Sequence, residues 1–224
     1  MKRIPEHELM DDVSQAKAYA EADFSAAHNT FVEYFKVRFP DFSSGEALDL
    51  GCGICDVIIR FAQAFPKTHI IGIDGAQAML DLGLCELQGK GFAHQITLQR
   101  YKLPDAELLK QQYDAVISNS LLHHLSDPLV LWETVRYCSK PHAPIFIMDL
   151  LRTEDVRKAR ELVQKYVADT SPILQKDFYN SLLAAYNVEE IRQQLNAAGL
   201  GYLTTEIVSD RHVLVWGRKE KKHF

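Results

Sequence analysis

The spacing of apolar positions changes twice along the chain. In residues 11–37, apolar side chains recur every three or four residues, which is the period of a helix that buries one face. From about residue 45 to residue 150, short apolar runs alternate with amphipathic stretches. Two β-rich runs follow at 202–208 and 212–216. The pattern predicts helices first, alternating strands and helices in the middle, and two neighbouring strands last.

The middle of the sequence predicts a parallel sheet. Its five candidate strands are residues 47–50, 69–73, 96–98, 115–118 and 144–148. Strands that alternate with helices pair in parallel, with helices on both faces and right-handed crossovers. The last two runs are joined by Ser209-Asp210-Arg211 alone, and so short a link joins antiparallel neighbours. We therefore expect an α/β fold with a mostly parallel sheet that ends in an antiparallel hairpin.

Two helical segments lie outside this alternation. The N-terminal helices span about 8–38, and a mostly helical insertion spans about 153–186. We expect both to fold over the carboxyl edge of the sheet as a lid. Asn187 and Glu190 have the spacing of a capping box, which predicts that a helix begins there. Because no linker or repeat appears, residues 1–224 are predicted to form a single domain.

The turn after the first strand is the most informative segment. It reads Leu48-Asp-Leu-Gly-Cys-Gly-Ile-Cys-Asp56. The glycines Gly51 and Gly53 let the backbone approach a ligand closely, at the sheet edge where such folds bind ligands. A dinucleotide site would have a third glycine at position 56 to seat a pyrophosphate, and the charge of Asp56 opposes one. NAD is therefore disfavoured.

Two more strands end in polar residues. The second ends at Asp74-Gly75, and a carboxylate there can accept hydrogen bonds from both hydroxyls of a ribose. Alternatively, Asp74 caps the helix that follows. The fourth ends at Asn119 and runs into His123 and His124.

These ordered motifs resemble those of class I S-adenosylmethionine-dependent methyltransferases of the small-molecule type. The resemblance covers about residues 45–150, and it implies a Rossmann-like seven-stranded sheet, S-adenosylmethionine as cofactor and a small-molecule methyl acceptor. Two departures stand out: Cys55 replaces a third glycine, and the exit of the third strand has no acid to bind the adenine. Tyr101 would flank the adenine instead, or is simply a surface tyrosine at a strand end.

The resemblance implies a set of cofactor-binding residues at the strand ends. They are Asp49, Gly51, Cys52, Gly53, Asp74, Gly75, Tyr101 and Asn119. The negative charge of Asp49 suits a cationic ligand that carries no phosphate. His123 or His124 is the candidate general base for an acceptor O–H or N–H⁺, or else a hydrogen-bonded structural histidine. Neighbouring residues of a helix diverge by about 100°, so we expect only one of the two to face the site.

The remaining composition narrows the function further. Cys52 and Cys55 form a C-x-x-C pair, but Asp49 and Gly51 before it and Asp74 after it argue against redox chemistry. No further ligands lie at a suitable spacing, so no metal is expected. A net charge of −5, with one basic run at 218–222, argues against nucleic acid. No signal peptide or membrane-spanning segment is apparent, which favours a cytoplasmic location.

Several questions stay open at this level. A cofactor-binding protein without turnover, or methylation of a protein or RNA, remain alternatives, and the oligomeric state is not indicated. Substrate choice is expected to come from the lid segments, whose residues are candidate acceptor contacts, although packing in the core is the commoner role for each of them. These candidates are Tyr19, Phe24, His28, Arg152, Tyr179, Tyr186 and His212.

Overall fold

The computed structural model describes residues 1–6 and 10–221. The strands are β1 Ser44–Leu50, β2 Lys67–Asp74, β3 Ile96–Arg100, β4 Ala115–Asn119, β5 Pro144–Leu150, β6 Thr204–Ile207 and β7 His212–Arg218. The helices are α1 Val13–Ala20, α2 Ser25–Arg38, α3 Asp56–Ala64, α4 Gln77–Lys90, α5 Leu129–Cys138, α6 Val156–Tyr166, α7 Pro172–Ala184 and α8 Val188–Ala197. Part of the predicted N-terminal helical region, residues 8 and 9, and residue 222 of the basic run lie outside the described residues.

The strands form one seven-stranded sheet in the order β3-β2-β1-β4-β5-β7-β6. β1 to β5 are parallel to their neighbours, and β7 runs antiparallel to both β5 and β6. The predicted mostly parallel sheet with a C-terminal antiparallel hairpin is confirmed. The chain order reverses between β1 and β4, and ligands bind at the carboxyl ends of the strands beside such a reversal.

Each face of the sheet packs on its own apolar core. On one face, Trp132 and Val135 of α5 and Ile191 of α8 are fully buried against the sheet. On the other face, Phe35 of α2 and Phe61 of α3 belong to a second buried cluster. Successive strand residues point to opposite faces, so both sides of the parallel strands are apolar, as two covered faces require.

Local signals explain where several helices begin and end. The predicted capping box is present: the Asn187 side chain accepts from the Glu190 N–H, and the Glu190 side chain accepts from the Asn187 N–H. α4 ends at Gly91, whose φ of 77° is the left-handed conformation that glycine adopts without strain. The predicted insertion is two helices, α6 and α7, with Asp155 and Ser171 as side-chain caps. Among the described helices, none is both long and apolar enough to cross a membrane.

Candidate active site

A cavity of about 530 Å³ lies at the carboxyl ends of the central strands. Its floor includes Asp49, Asp74 and Asn119, which end or lie near the end of β1, β2 and β4. Its roof comes from α1, from the start of α2 and from α7. Gln15 of α1 donates to Asp177 of α7 across 3.2 Å, which joins two parts of the roof.

The glycine turn is held in shape by hydrogen bonds to the end of β2. The N–H groups of Gly51 and Cys52 both donate to the Ile73 carbonyl at 2.9 Å, and Gly53 donates to Asp74 Oδ2 at 2.9 Å. Gly51 and Gly53 have φ values of 75° and 52°, a region that favours glycine. A Cβ added to Gly53 would meet nothing within 4 Å, so the backbone there is open to the cavity.

Cys55 adopts the conformation expected of the missing third glycine, with φ of 73°. Its buried side chain packs on α4 at Gly83, where a Cβ would lie 2.6 Å from the Cys55 sulfur. The pKa of the Cys52 thiol is raised by its contact with Cys55 and by burial. A reactive thiolate requires the opposite shift.

Two floor residues have buried oxygens without a hydrogen-bond partner. They are Oδ1 of Asp49 and Oδ1 of Asn119, both within the described part of the chain. Asp49 is only 2% exposed, and burial, followed by the charge of Asp74, raises the pKa of its carboxyl to about 8. Buried acceptors normally have a donor, so both atoms are suited to a ligand that brings positive charge and N–H groups.

Asp74 makes contacts at both the start of α4 and the glycine turn. Its Oδ1 accepts from the Ala76 N–H at 2.8 Å, so it does support the start of α4. Its Oδ2 accepts from Gly53, which ties the glycine turn to β2. Burial raises the pKa of this carboxyl. A carboxylate oxygen has two lone pairs, so both oxygens keep capacity for hydroxyl donors. Gly75 and Tyr101 also line the cavity.

His123 and His124 both line the same cavity, so the prediction that only one would face it is wrong. Their ring centroids lie 4.1 Å apart with a 37° tilt. Both residues belong to the short 3₁₀ turn Leu122–His124, whose three residues per turn separate neighbours by about 120°, so the side chains and not the backbone bring the two rings together. Glu6 lies opposite both rings: its Oε1 is 3.3 Å from His124 Nδ1 and 3.7 Å from His123 Nε2.

Asp149 of β5 fixes the orientation of His123. Its Oδ1 lies 2.6 Å from His123 Nδ1, and its Oδ2 accepts from the Leu122 N–H at 2.7 Å. Burial lowers the pKa of His123. The carboxylates of Asp149 and Glu6 have a larger combined effect in the opposite direction, so the pKa of His123 is raised. Neither Asp149 nor Glu6 was predicted as a site residue. Asp149 continues the apolar run of the fifth strand, which was a detectable signal, whereas Glu6 carried none.

The segment that carries Glu6 is anchored beside the histidine turn. Arg3 donates to the carbonyls of His123 at 2.9 Å and Leu125 at 3.1 Å, and to that of Ala184 at the end of α7. Its guanidinium lies 4.1 Å from the centre of the Tyr186 ring. The segment is therefore fixed against the histidine turn and α7, and its Glu6 lines the cavity.

The candidate acceptor contacts fall into two groups, those that line the cavity and those that do not. Tyr19, Phe24, His28 and His212 line the cavity. Arg152, Tyr179 and Tyr186 are not among its lining residues, so for these three the packing alternative holds.

Their partners explain the difference. Arg152 pairs with Glu190 at 2.8 Å, Tyr186 donates to the Leu125 carbonyl, and Tyr179 packs in the apolar cluster of α6 and α7. His28 Nδ1, by contrast, lies 2.6 Å from Asp56 Oδ2 on the cavity side of α3.

Comparisons with known proteins agree with this geometry. Residues 48–145 match the family model described as a methyltransferase domain. The ubiquinone biosynthesis O-methyltransferase of Histophilus somni (strain 2336) is 25% identical over 161 residues, which are 68% of this chain and 67% of that protein. The trans-aconitate 2-methyltransferase of Deinococcus radiodurans is 29% identical over 117 residues, 50% of this chain and only 42% of that one.

A solved structure shares the whole fold. The plantazolicin methyltransferase BpumL, in complex with a pentazolic desmethylPZN analog and SAH, superposes with a TM-score of 0.69 at 16% identity. The superposition covers 93% of this chain and 90% of that one. The segment that matches the family model contains the glycine turn, Asp74 and Asn119 in the order described above. This chain therefore resembles the class I S-adenosylmethionine-dependent methyltransferases in its fold and in its methyltransferase-domain segment.

Proposed function

We propose that this methyltransferase transfers a methyl group from S-adenosylmethionine to a small molecule held in the cavity beneath α1 and α7. The observation that carries the proposal is the pair of unpartnered buried oxygens on Asp49 and Asn119, next to an open glycine turn. A hydrogen-bond-accepting floor with two carboxyl groups fits a cationic nucleoside, which favours their ionised form, and opposes a pyrophosphate.

The cofactor residues follow from the floor of the cavity. Asp74 would accept from the ribose hydroxyls, and Asp49 and Asn119 would face the amino-acid part of the cofactor. Gly51, Cys52, Gly53 and Gly75 offer backbone surface. Tyr101, at the exit of β3, would flank the adenine in place of the missing acid. When bound, S-adenosylmethionine supplies a methyl group already activated on a sulfonium.

The chain itself then has to align the acceptor and to manage its proton. We assign the second task to the histidine pair. Asp149 raises the pKa of His123 and engages its Nδ1 at 2.6 Å, so we assign this buried ring an orienting role. His124, which lines the cavity beside it, is the better base for an acceptor O–H or N–H⁺.

The roof of the cavity supports a small acceptor. α1, the start of α2 and α7 contribute Tyr19, His28 and Phe178 to the lining, so the space above the cofactor residues is covered by side chains. We propose that these helices and α6 act as the lid of a single domain. The relatives named for ubiquinone biosynthesis and trans-aconitate also point to a small-molecule acceptor rather than a macromolecule.

Replacement of the ribose-binding carboxylate tests the cofactor site. Loss of hydrogen bonds to a charged group costs about 1.5–3 kcal/mol, so Asp74→Ala should weaken S-adenosylmethionine binding about 10–100-fold by calorimetry. Asp81→Ala, on the exposed side of α4, is the matched control and should bind like wild type. Unchanged affinity in Asp74→Ala, with circular dichroism showing a folded protein, would refute the assignment.

Methyl incorporation tests the acceptor class. We expect label from methyl-labelled S-adenosylmethionine to enter the low-mass fraction of a cell extract, and His124→Asn to reduce it at least tenfold. Label that enters protein or RNA, and disappears on protease or RNase treatment, would contradict the small-molecule proposal. Tight cofactor binding without incorporation into any fraction would point to a binding protein without turnover.

A further inference from the structure

Three potential metal ligands converge on the wall of the cavity. They are the Glu6 carboxylate, His123 Nε2 and His124 Nδ1, and the ligand atoms all lie within 4.8 Å of one another. His123 is buried and the other two are half-buried, so bulk water does not surround them. Within residues 1–6 and 10–221, this is the one group of three such side chains at that spacing.

The distances to Glu6 approach those of an assembled site. With bonds of about 2.0–2.1 Å, two ligand atoms of a tetrahedral zinc centre lie about 3.3–3.4 Å apart. Glu6 Oε1 is 3.3 Å from His124 Nδ1 and 3.7 Å from His123 Nε2. A shift of a few tenths of an ångström would bring His123 to the same spacing.

Groups behind the ligands hold them in this orientation. Asp149 lies 2.6 Å from His123 Nδ1, which places the proton there and leaves the Nε2 lone pair directed at Glu6. Ser181 donates to Glu6 Oε1 at 2.9 Å. A carboxylate behind a ligating histidine and a hydrogen bond to a ligating carboxylate are the usual supports of a metal site.

The contact between His123 and Glu6 leaves room for a bridging group. A neutral His123 would direct a lone pair at a carboxylate oxygen 3.7 Å away, which sets two acceptors against each other. A proton on Glu6, a second proton on His123 or a cation between the two groups removes this conflict. A cation would also use the third ligand atom, His124 Nδ1, which lies 3.3 Å from the same Glu6 oxygen.

We propose that Glu6, His123 and His124 bind one divalent cation of the class that prefers imidazole, such as Zn²⁺ or Co²⁺. Three protein ligands leave a fourth position, which faces the cavity. There an acceptor oxygen can bind and, as a hydroxyl, release its proton to solvent at a lower pH. The inference extends the proposed function: with the cation bound, both imidazoles are ligands, and without it His124 remains the base.

Cobalt titration of the EDTA-treated full chain is the primary test. We expect one equivalent of Co²⁺ per chain, with visible d–d absorption and no thiolate charge-transfer band, and competition by Zn²⁺. Glu6→Gln and His124→Asn should each weaken binding at least tenfold. His94→Asn removes an exposed histidine on the loop after α4 and should bind like wild type, which controls for adventitious surface binding.

Two measurements on the same samples make the result decisive. The thermal midpoint shows whether each variant is folded, and calorimetry with S-adenosylmethionine shows whether the cofactor site is intact. Absence of stoichiometric Co²⁺ binding would overturn the inference, and so would binding that survives both ligand variants or a thiolate band from Cys52 and Cys55. Any of these three results leaves the proposed function standing if the cofactor still binds, whereas a failure of cofactor binding alone counts against the proposed function.

Discussion

Asp49 is a carboxyl group that the fold keeps away from both water and donors. Burial first, and then the charge of Asp74, raise its pKa from 3.8 to about 8. Between those values the native protein binds more protons than the unfolded chain, so the stability contributed by this residue falls as pH rises. A residue that weakens the empty protein at neutral pH is placed for its ligand rather than for the fold.

The substitution Asp49→Asn tests this reasoning at the residue scale. We expect the thermal midpoint of the cofactor-free protein to rise by at least about 2 °C at pH 7, because the variant has no acid to keep protonated. The gain should shrink at pH 5, while S-adenosylmethionine affinity falls because the negative charge is lost. Differential scanning fluorimetry at both pH values and calorimetry provide the measurements. A lower midpoint at both pH values would show that the carboxyl group stabilises the empty protein.

At the scale of elements, the cofactor turn depends on how closely α4 approaches it. Gly83 is the contact point, since a Cβ there would lie 2.6 Å from Cys55 Sγ and 3.2 Å from the Gly53 carbonyl oxygen. A larger residue would force the helix and the turn apart. The geometry of the turn is therefore set partly by a helix that follows the next strand.

Two glycines of the same helix provide a matched comparison. Gly83→Ala should destabilise the protein by about 1–3 kcal/mol and weaken cofactor binding, because overpacking outweighs the helical preference of alanine. Gly89→Ala, whose Cβ would meet nothing within 4 Å, should stabilise the protein by about 0.5–1 kcal/mol with unchanged affinity. Urea denaturation and calorimetry measure both quantities. Equal stabilisation by the two substitutions would mean that α4 can move without disturbing the turn.

The elements also show what the sequence could and could not predict. The strand ends at Asp74 and Asn119 and the capping box of Asn187 were predictable, because each depends on neighbours within one strand or one turn of helix. The contact of Glu6 with the histidines was not, since it joins two distant parts of the chain and follows no periodicity. Conversely, Arg152 looked like an acceptor contact until its pairing with Glu190 was known.

For the whole molecule, the first six residues connect the end of α7 to the histidine turn. Arg3 bridges carbonyls of that turn and the end of α7, so movement of one should be transmitted to the other. The same segment carries Glu6. The position of α7 and the arrangement of the polar wall of the cavity are thereby linked.

Loss of this bridge should affect turnover and not cofactor binding. We expect Arg3→Ala to lower kcat for methyl transfer about tenfold or more, with S-adenosylmethionine affinity within about twofold of wild type. The reason is that displacing reacting groups by about 1 Å can lower the rate by up to about 10²-fold. Lys2→Ala, an exposed neighbour, serves as the control. Steady-state kinetics and calorimetry separate the two quantities. An equal loss in kcat and in cofactor affinity would show that Arg3 stabilises the fold as a whole and has no specific role in turnover.

The position of β7 has a consequence for how the protein is made. This strand lies between β5 and β6, and its Val213, Leu214 and Val215 are almost completely buried. Until those residues leave the ribosome, one edge of β5 has no partner and its apolar faces lack their last neighbour. Because synthesis starts at the N-terminus, the nascent chain exposes an unpaired, aggregation-prone edge of β5 until β7 pairs with it.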